Sequence, residues 1–291
     1  MKECFYQIAE HTIRLSFSKN KIGEDQLTNY APFRVEETES YLFHLALVEQ
    51  LQSKEVSIQV GQFDDDIASI GIFKSEAGDF RFRIAYPDSK DYCTMCVDSS
   101  FREARVQLPE DEQHRFFCLN NCLMLLYAFA TANLDTLLIH ASVIKNNNKG
   151  FVFLGKSGTG KSTHSRLWIE YIEGSELLND DNPVIRLIED KAYVFGTPWS
   201  GKTPCYINNK ALLKGIVKLR QASENRIKEL PLIQAYAALL PSCSNMRWED
   251  NIASGVHRTV EQLINLVNCY RLDCLPNKAA AKLSSDTMCT K

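Results

Sequence analysis

The chain has 291 residues and a mass of 33.1 kDa; 45% of its residues are hydrophobic and 24% charged, which excludes a fibrous, collagen-like or wholly disordered protein. Thirty-three basic residues against 36 acidic ones leave a formal charge of −3, so composition gives no footprint of a nucleic-acid or anionic-membrane binder. A chain of this length builds its own hydrophobic core and needs neither disulfides nor metal to fold.

The start, Met1-Lys2-Glu3-Cys4-Phe5 followed by Glu10, His11 and Arg14, lacks the apolar core of a secretory signal, and the expected location is cytoplasmic. The ten cysteines are then reduced thiols, mostly small core residues. Residues 1–112 read as a mainly antiparallel β module of open role. Strand patterns fall at Phe5–Ile8, Thr12–Phe17, Val56–Val60 and Phe80–Ile84, with turn chemistry at Ser18-Lys19-Asn20, Asp64–Asp66, Ala77-Gly78-Asp79 and Pro87-Asp88-Ser89. The acidic run at Asp64–Asp66 lacks the glycine and distal glutamate of a calcium loop and reads as a solvated turn. Cys93 and Cys96 have zinc-ligand spacing without a second pair to complete a site, and Cys118 and Cys122 lie one helical turn apart, as for shared burial.

Residues 113–291 read as a second domain, an α/β fold with a mixed sheet. It opens with a helix over 113–131 whose apolar surface includes Phe116, Phe117, Leu123, Leu126 and Phe129. The run Cys122–Ala132 is far shorter than the ~20 residues a membrane span needs, so no membrane partner is expected. Strands follow at 137–139 and 151–154, then a helix from Lys161 to Ile172, a short strand at 177–178, a hairpin over 184–195 turning at Glu189-Asp190-Lys191, and a strand at 214–219. Helical patterns cover 232–240 and 252–267, followed by a strand at 270–272 and by a tail after Lys278 expected to fray.

The feature with most chemical content is Gly155-Lys156-Ser157-Gly158-Thr159-Gly160-Lys161-Ser162, a full match to G-x-x-x-x-G-K-[ST]. An apolar strand enters it and a helix leaves it, so backbone N–H groups can close around phosphate at a positive helix end. In this reading Lys161 reaches the β- and γ-phosphates of ATP and Ser162 ligates Mg2+; Thr163, next in the helix, is grouped with the nucleotide-binding residues. A glycine-rich turn without ligand is the plain alternative.

Asp180-Asp181 comes next, after the apolar Leu177-Leu178 and before Asn182-Pro183, so its carboxylates emerge at a strand end. Such acids hold magnesium or accept a proton from an acceptor hydroxyl; Asp180 is assigned as base and Asp181 as metal ligand. His140 ends the 137–139 strand and could donate to phosphate or tune the acids, although a lone histidine is more often structural. The loop Gly196-Thr197-Pro198-Trp199-Ser200-Gly201-Lys202-Thr203-Pro204 can bring the Lys202 charge to a transferring phosphoryl group, with Trp199 either packed or a substrate platform.

Together His140, the 155–162 loop and the Asp180-Asp181 pair resemble the kinase domain of HPr kinase/phosphorylase and its relatives, which include phosphoenolpyruvate carboxykinases and the kinases that modify lasso peptides. The likeness covers about residues 134–222. It implies Mg-dependent transfer of the ATP γ-phosphoryl group to a hydroxyl, first of all serine of a protein or peptide, in a chain that could form a homo-oligomer. By carry-over Lys161 and the loop amides hold phosphate, Ser162 and Asp181 hold magnesium, Asp180 accepts the serine proton, His140 sits near them, and Lys202 stands where the family has an arginine. Lysine is a point charge and arginine a planar fork, so the resemblance does not by itself carry over the family's reverse reaction or its usual substrate. A small-molecule acceptor, a carboxykinase-like enzyme and a non-catalytic nucleotide-binding module are the competing readings.

Overall fold

A computed structural model describes residues 2–17, 22–51, 57–64, 68–87, 89–201 and 203–289. Val56, Asp65, Asp66, Asp88 and the turn residues Ser18, Lys19 and Asn20, named above, lie outside the described residues, as does Lys202. The chain divides into two units, 1–130 and 131–291.

The first unit is a sheet built from β1 (Lys2–Ile8), β2 (His11–Phe17), β3 (Arg34–Val35), β4 (His44–Val48), β5 (Ser57–Asp64), β6 (Ser69–Ser75), β7 (Phe80–Ala85), β8 (Cys93–Val97) and β9 (Glu103–Gln107). Their order across the sheet is β3-β1-β2-β4-β9-β8-β7-β6-β5. Most neighbours are antiparallel, as the sequence suggests, but β4 pairs in parallel with both β2 and β9. A parallel neighbour cannot be reached by a hairpin, and the chain between β2 and β4 supplies the crossover, including two 3-10 turns and β3.

Alternation in β7 and β8 buries Phe80, Phe82, Ile84, Cys93, Met95 and Val97 on one face. Against that face lies α1 (Glu112–Ala130), with Phe82 stacked on Phe129 at 5.9 Å and Cys93 Sγ 3.6 Å from Cys122 Sγ. This packing groups α1 with the first unit, whereas a boundary at 112/113 puts it with the second. The helix buries Leu119, Cys122, Leu123 and Leu126, and the sheet face is what covers them. The interaction with the Cys93 thiol, and after it burial, push the Cys118 thiol far above the ordinary range, so these sulfurs behave as small hydrophobes.

The second unit contains β10 (Thr136–Leu138), β11 (Ala141–Asn146), β12 (Lys149–Leu154), α2 (Lys161–Tyr171), β13 (Ser175–Asp181), β14 (Val184–Ile188), β15 (Lys191–Phe195), β16 (Lys210–Gln221), β17 (Arg226–Glu229), α3 (Leu232–Leu239), α4 (Asp250–Leu266), β18 (Cys269–Cys274) and α5 (Lys278–Cys289). The sheet runs β10-β14-β15-β16-β12-β11-β13, with β18 also on β16 and β17 on β18. β12 is parallel to β16, and β16 to β18, while the remaining pairs are antiparallel, so the sheet is mixed.

The tail after Lys278 does not fray; it forms α5. Its small residues allow close packing, with Ala280, Ala281, Ser284, Ser285 and Met288 buried. A Cβ at Gly215 of β16 would sit 2.5 Å from Met288 Sδ, so glycine there makes room for the helix. Ser284 Oγ accepts from Trp168 Nε1 at 2.9 Å and lies 3.0 Å from His164 Nε2, tying α5 to α2. Phe151, Phe153, Trp168, Val217 and Leu272 complete this core, which seats α2 on the strand that feeds it. Among the described residues no helix is long and apolar enough to cross a membrane.

Candidate functional site

β12 is buried from Gly150 to Leu154 and ends at Gly155, where the chain turns into α2. The turn needs glycine for its backbone. Gly158 and Gly160 have φ of +76° and +105°, values that an L side chain resists. An ideal Cβ on either would meet no heavy atom within 4 Å, so that side of the loop is open to an incoming group. Gly155 is different, since its Cβ would press on Thr159 at 3.0 Å. Thr159 N donates to Lys156 O at 3.1 Å, closing the turn, while Lys156 and Ser157 are exposed. Gly160 occupies the N-cap position without a side-chain cap, leaving the first amides of α2 for an outside acceptor.

Lys161 points back across the loop. Its Nζ donates to Gly155 O at 2.9 Å and meets His140 Nε2 at 2.9 Å. An ammonium has only donors, so Nε2 accepts and the ring proton belongs on Nδ1, which lies 3.0 Å from Asp181 Oδ1. His140 therefore bridges the lysine to the second acid. Burial pulls the Lys161 pKa below the usual lysine range, partly offset by the charges of Asp181 and Asp180. His140 itself is fixed by β10 and by the segment after α3: its N donates to Ser242 O at 2.7 Å, and Ile139 bridges Cys243.

The two acids end β13, in register with Ala141 and Ser142 of β11. Asp180 is buried, and Ser162 Oγ donates to its Oδ1 at 3.1 Å. Asp181 is more open and takes bonds from His140 and, at 2.9 Å on Oδ2, from Asn182 Nδ2. Ser162 thus stands with Asp180 rather than with Asp181, the reverse of the pairing drawn from the sequence. Asp181 also has φ of +149°, a conformation that costs a non-glycine residue about 1–3 kcal/mol and is kept only where surroundings enforce it.

Those surroundings carry no motif. Asn179, fully buried, donates from Nδ2 to Thr197 Oγ1 at 3.1 Å and to Trp199 O at 3.2 Å, and its Oδ1 accepts from Asn182 N at 3.1 Å. Thr197 Oγ1 donates to Asn182 O at 2.7 Å. The 197–201 loop is thereby laced to the acid-bearing turn, and Gly201 N completes the seam by donating to Asp180 O at 2.6 Å. Trp199 is buried and serves this packing, not as a substrate platform. The loop leads into Lys202, whose placement beside the acids stays an expectation because that residue is outside those described. On the other side of the loop, Gln221 Nε2 at the end of β16 donates to Gly158 O at 3.3 Å.

The donors suit a hard cation and a phosphate. Among the described residues no group of three or more His, Cys, Asp or Glu side chains could hold a metal alone. One hydroxyl and one or two carboxylates are what magnesium takes from a protein when phosphate and water supply the rest. The open loop face and the uncapped helix start fit the phosphate.

No known protein-family model matches the chain, and no curated protein does. Among solved structures it is similar to the HPr(Ser) kinase/phosphatase from Coxiella burnetii, with 11% sequence identity and a TM-score of 0.31 over 53% of this chain and 93% of that one. At that identity and score the likeness carries no functional weight.

Proposed function

We propose that the chain is a magnesium- and ATP-dependent kinase that transfers the γ-phosphoryl group to a hydroxyl, foremost a serine of a protein or peptide. The observation that carries this reading is a pair of hydrogen-bonded sets at the 155–160 loop: His140 spanning Lys161 and Asp181, and Ser162 on Asp180, the neighbouring acid. A cation, a hydroxyl, two carboxylates and a histidine are the parts that phosphoryl transfer uses.

Lys161 exchanges its bond to Gly155 O for phosphate oxygens as nucleotide enters, and the loop amides and the start of α2 take the remaining negative charge. Magnesium, when bound, neutralises charge on the phosphates, and Ser162 Oγ with Asp180 are the residues that would hold it. Asp181 then receives the acceptor hydroxyl's proton, with His140 Nδ1–H fixing the carboxylate's orientation. This exchanges the roles that sequence order gives the two acids, and it rests on which of them Ser162 reaches.

The test is transfer of γ-labelled phosphate from ATP, with magnesium, into protein and small-molecule fractions of a lysate. Asp181→Asn should retain nucleotide binding and lose transfer about 100-fold or more, the usual contribution of a positioned base. Asp180→Asn should instead weaken the magnesium-dependent part of nucleotide binding. Label confined to a small molecule would make the acceptor a metabolite; nucleotide binding with no Asp181-dependent label would leave a binding module and refute the kinase.

A further inference from the structure

The second unit carries a basic face that the site around the 155–160 loop does not use. β16, β18 and β17 lie side by side, and Val217, Leu219, Tyr270, Leu272 and Ile227 pack from one face of them into the core with α2 and α5. The intervening residues point the other way and fall into two rows across the strands. Lys218 is opposite Arg271 and Arg271 opposite Lys228; two residues along, Arg220 is opposite Asp273 and Asp273 opposite Arg226. Five cations thus share this face with one carboxylate, in a chain whose formal charge is −3.

The nearby carboxylates leave that excess standing. Asp273 Oδ1 accepts from Arg220 Nε at 2.6 Å and its Oδ2 from Arg271 Nη2 at 3.2 Å, so both oxygens are taken. Glu229 alternates to the side of Ile227, and Glu224 belongs to the segment joining β16 to β17, in neither row. Lys218, Arg226 and Lys228 are exposed, and among the described residues their side chains have no ionic or hydrogen-bonded partner. Like charges directly opposite on neighbouring strands destabilise a sheet. Charge on an edge strand guards against stray pairing, which accounts for Arg226 and Lys228 on β17 but not for Lys218 or Arg271, whose strands have neighbours on both sides. The row of Lys218, Arg271 and Lys228 is thus a cost to the fold that an anion laid over it removes.

The surroundings select the kind of anion. These side chains stand exposed on a sheet surface, where a small anion keeps most of its water. Neither row holds an aromatic ring to stack a base, and the chain's net charge is negative, which turns the argument from nucleic acid. An extended polypeptide fits the spacing. Its alternate residues repeat at about 6.8 Å, and the two rows are likewise two residues apart on every strand. Lys218 is opposite Leu154, the residue before the 155–160 loop, so a segment held here ends beside that loop. We propose that this face docks an extended acidic segment of a partner polypeptide, one carboxylate resting on the row of Lys218, Arg271 and Lys228 and that of the next residue but one on Arg226. Docking there needs no nucleotide, so the proposal stands or falls apart from the kinase reading.

The experiment is fluorescence anisotropy of a rhodamine-labelled hexaglutamate peptide titrated with the full chain, without nucleotide and at low salt. Wild type should bind and hexaglutamine should not. Lys218→Gln combined with Lys228→Gln should weaken binding about tenfold, as loss of two exposed charge contacts does. Arg226→Gln is the second variant should that pair fail to give the wild-type circular dichroism, and it should weaken binding about threefold. Lys149→Gln combined with Lys191→Gln, an equal loss of charge at the starts of β12 and β15, should change nothing. No binding by wild type, equal weakening by the Lys149 and Lys191 pair, or unchanged binding by the folded face variants overturns the proposal. Displacement by inorganic phosphate or by a duplex oligonucleotide as effective as by unlabelled hexaglutamate would make this a phosphate or nucleic-acid surface and overturn the assignment to an acidic segment.

Discussion

His164 gives an acid-stability prediction that can be worked through from its surroundings. It sits one turn into α2, its Nε2 3.0 Å from Ser284 Oγ and its ring edge-on to Phe153 at 4.7 Å. Burial lowers its pKa from 6.5 to about 4, so the folded protein keeps the ring neutral where an unfolded chain would protonate it. Between those two values the unfolded state binds the additional proton, and stability falls as pH falls. The full difference corresponds to about 3 kcal/mol. Between pH 7.5 and pH 5 the same linkage removes about 2 kcal/mol. The assay is urea unfolding at pH 7.5, 6 and 5 followed by tryptophan fluorescence. All three tryptophans, Trp168, Trp199 and Trp248, belong to the second unit, so the signal reports the unit that holds His164. His164→Gln lowers stability at pH 7.5 through lost packing but removes this titration, and its further loss on acidification should be about 2 kcal/mol smaller than that of wild type. Parallel loss in the two proteins would show that His164 is not the titrating group and would refute the reasoning.

Gly160→Ala meets no steric obstacle but forces alanine to φ of +105°, which should cost about 1–2 kcal/mol and shift the loop; the checks are urea denaturation and nucleotide affinity, and an unchanged affinity would mean the turn does not shape the site. Asn179→Ala should destabilise the second unit by about 2–4 kcal/mol, because Trp199 O and Thr197 Oγ1 lose a buried donor. Transfer activity should fall more steeply than nucleotide affinity, and Asn179→Asp, which cannot donate, should not rescue it. Nucleotide affinity should drop as pH rises through the lowered pKa of Lys161, at a pH below the ordinary lysine value, since only the ammonium attracts phosphate; calorimetric titration at several alkaline pH values tests this, and Lys161→Met should flatten the profile.

Much of the candidate site's make-up was legible along the chain. The 155–162 loop reads directly, because glycine at positive φ, a lysine and a hydroxyl at fixed spacing are local requirements of one turn. Asp180-Asp181 at a strand end, the hairpin over 184–195 and the helices around 232–240 and 252–267 were equally local. Several features were not. The parallel insertion of β4 depends on partners far away in sequence. Asn179 and Thr197 look like ordinary polar residues and become structural only when the strand and the returning loop share a buried seam. The tail after Lys278 reads as small and polar, yet a glycine on β16 and two donors on α2 turn it into a packed helix.

The sequence by itself determined which groups are available for chemistry and where the backbone must bend, since residue type and local dihedral preference act over a few positions. Tertiary structure decided which groups meet. That Ser162 reaches Asp180 while His140 spans Lys161 and Asp181 follows from β11 lying between β12 and β13, and neighbouring strands are set by burial of whole faces, a sum over residues distant in the chain.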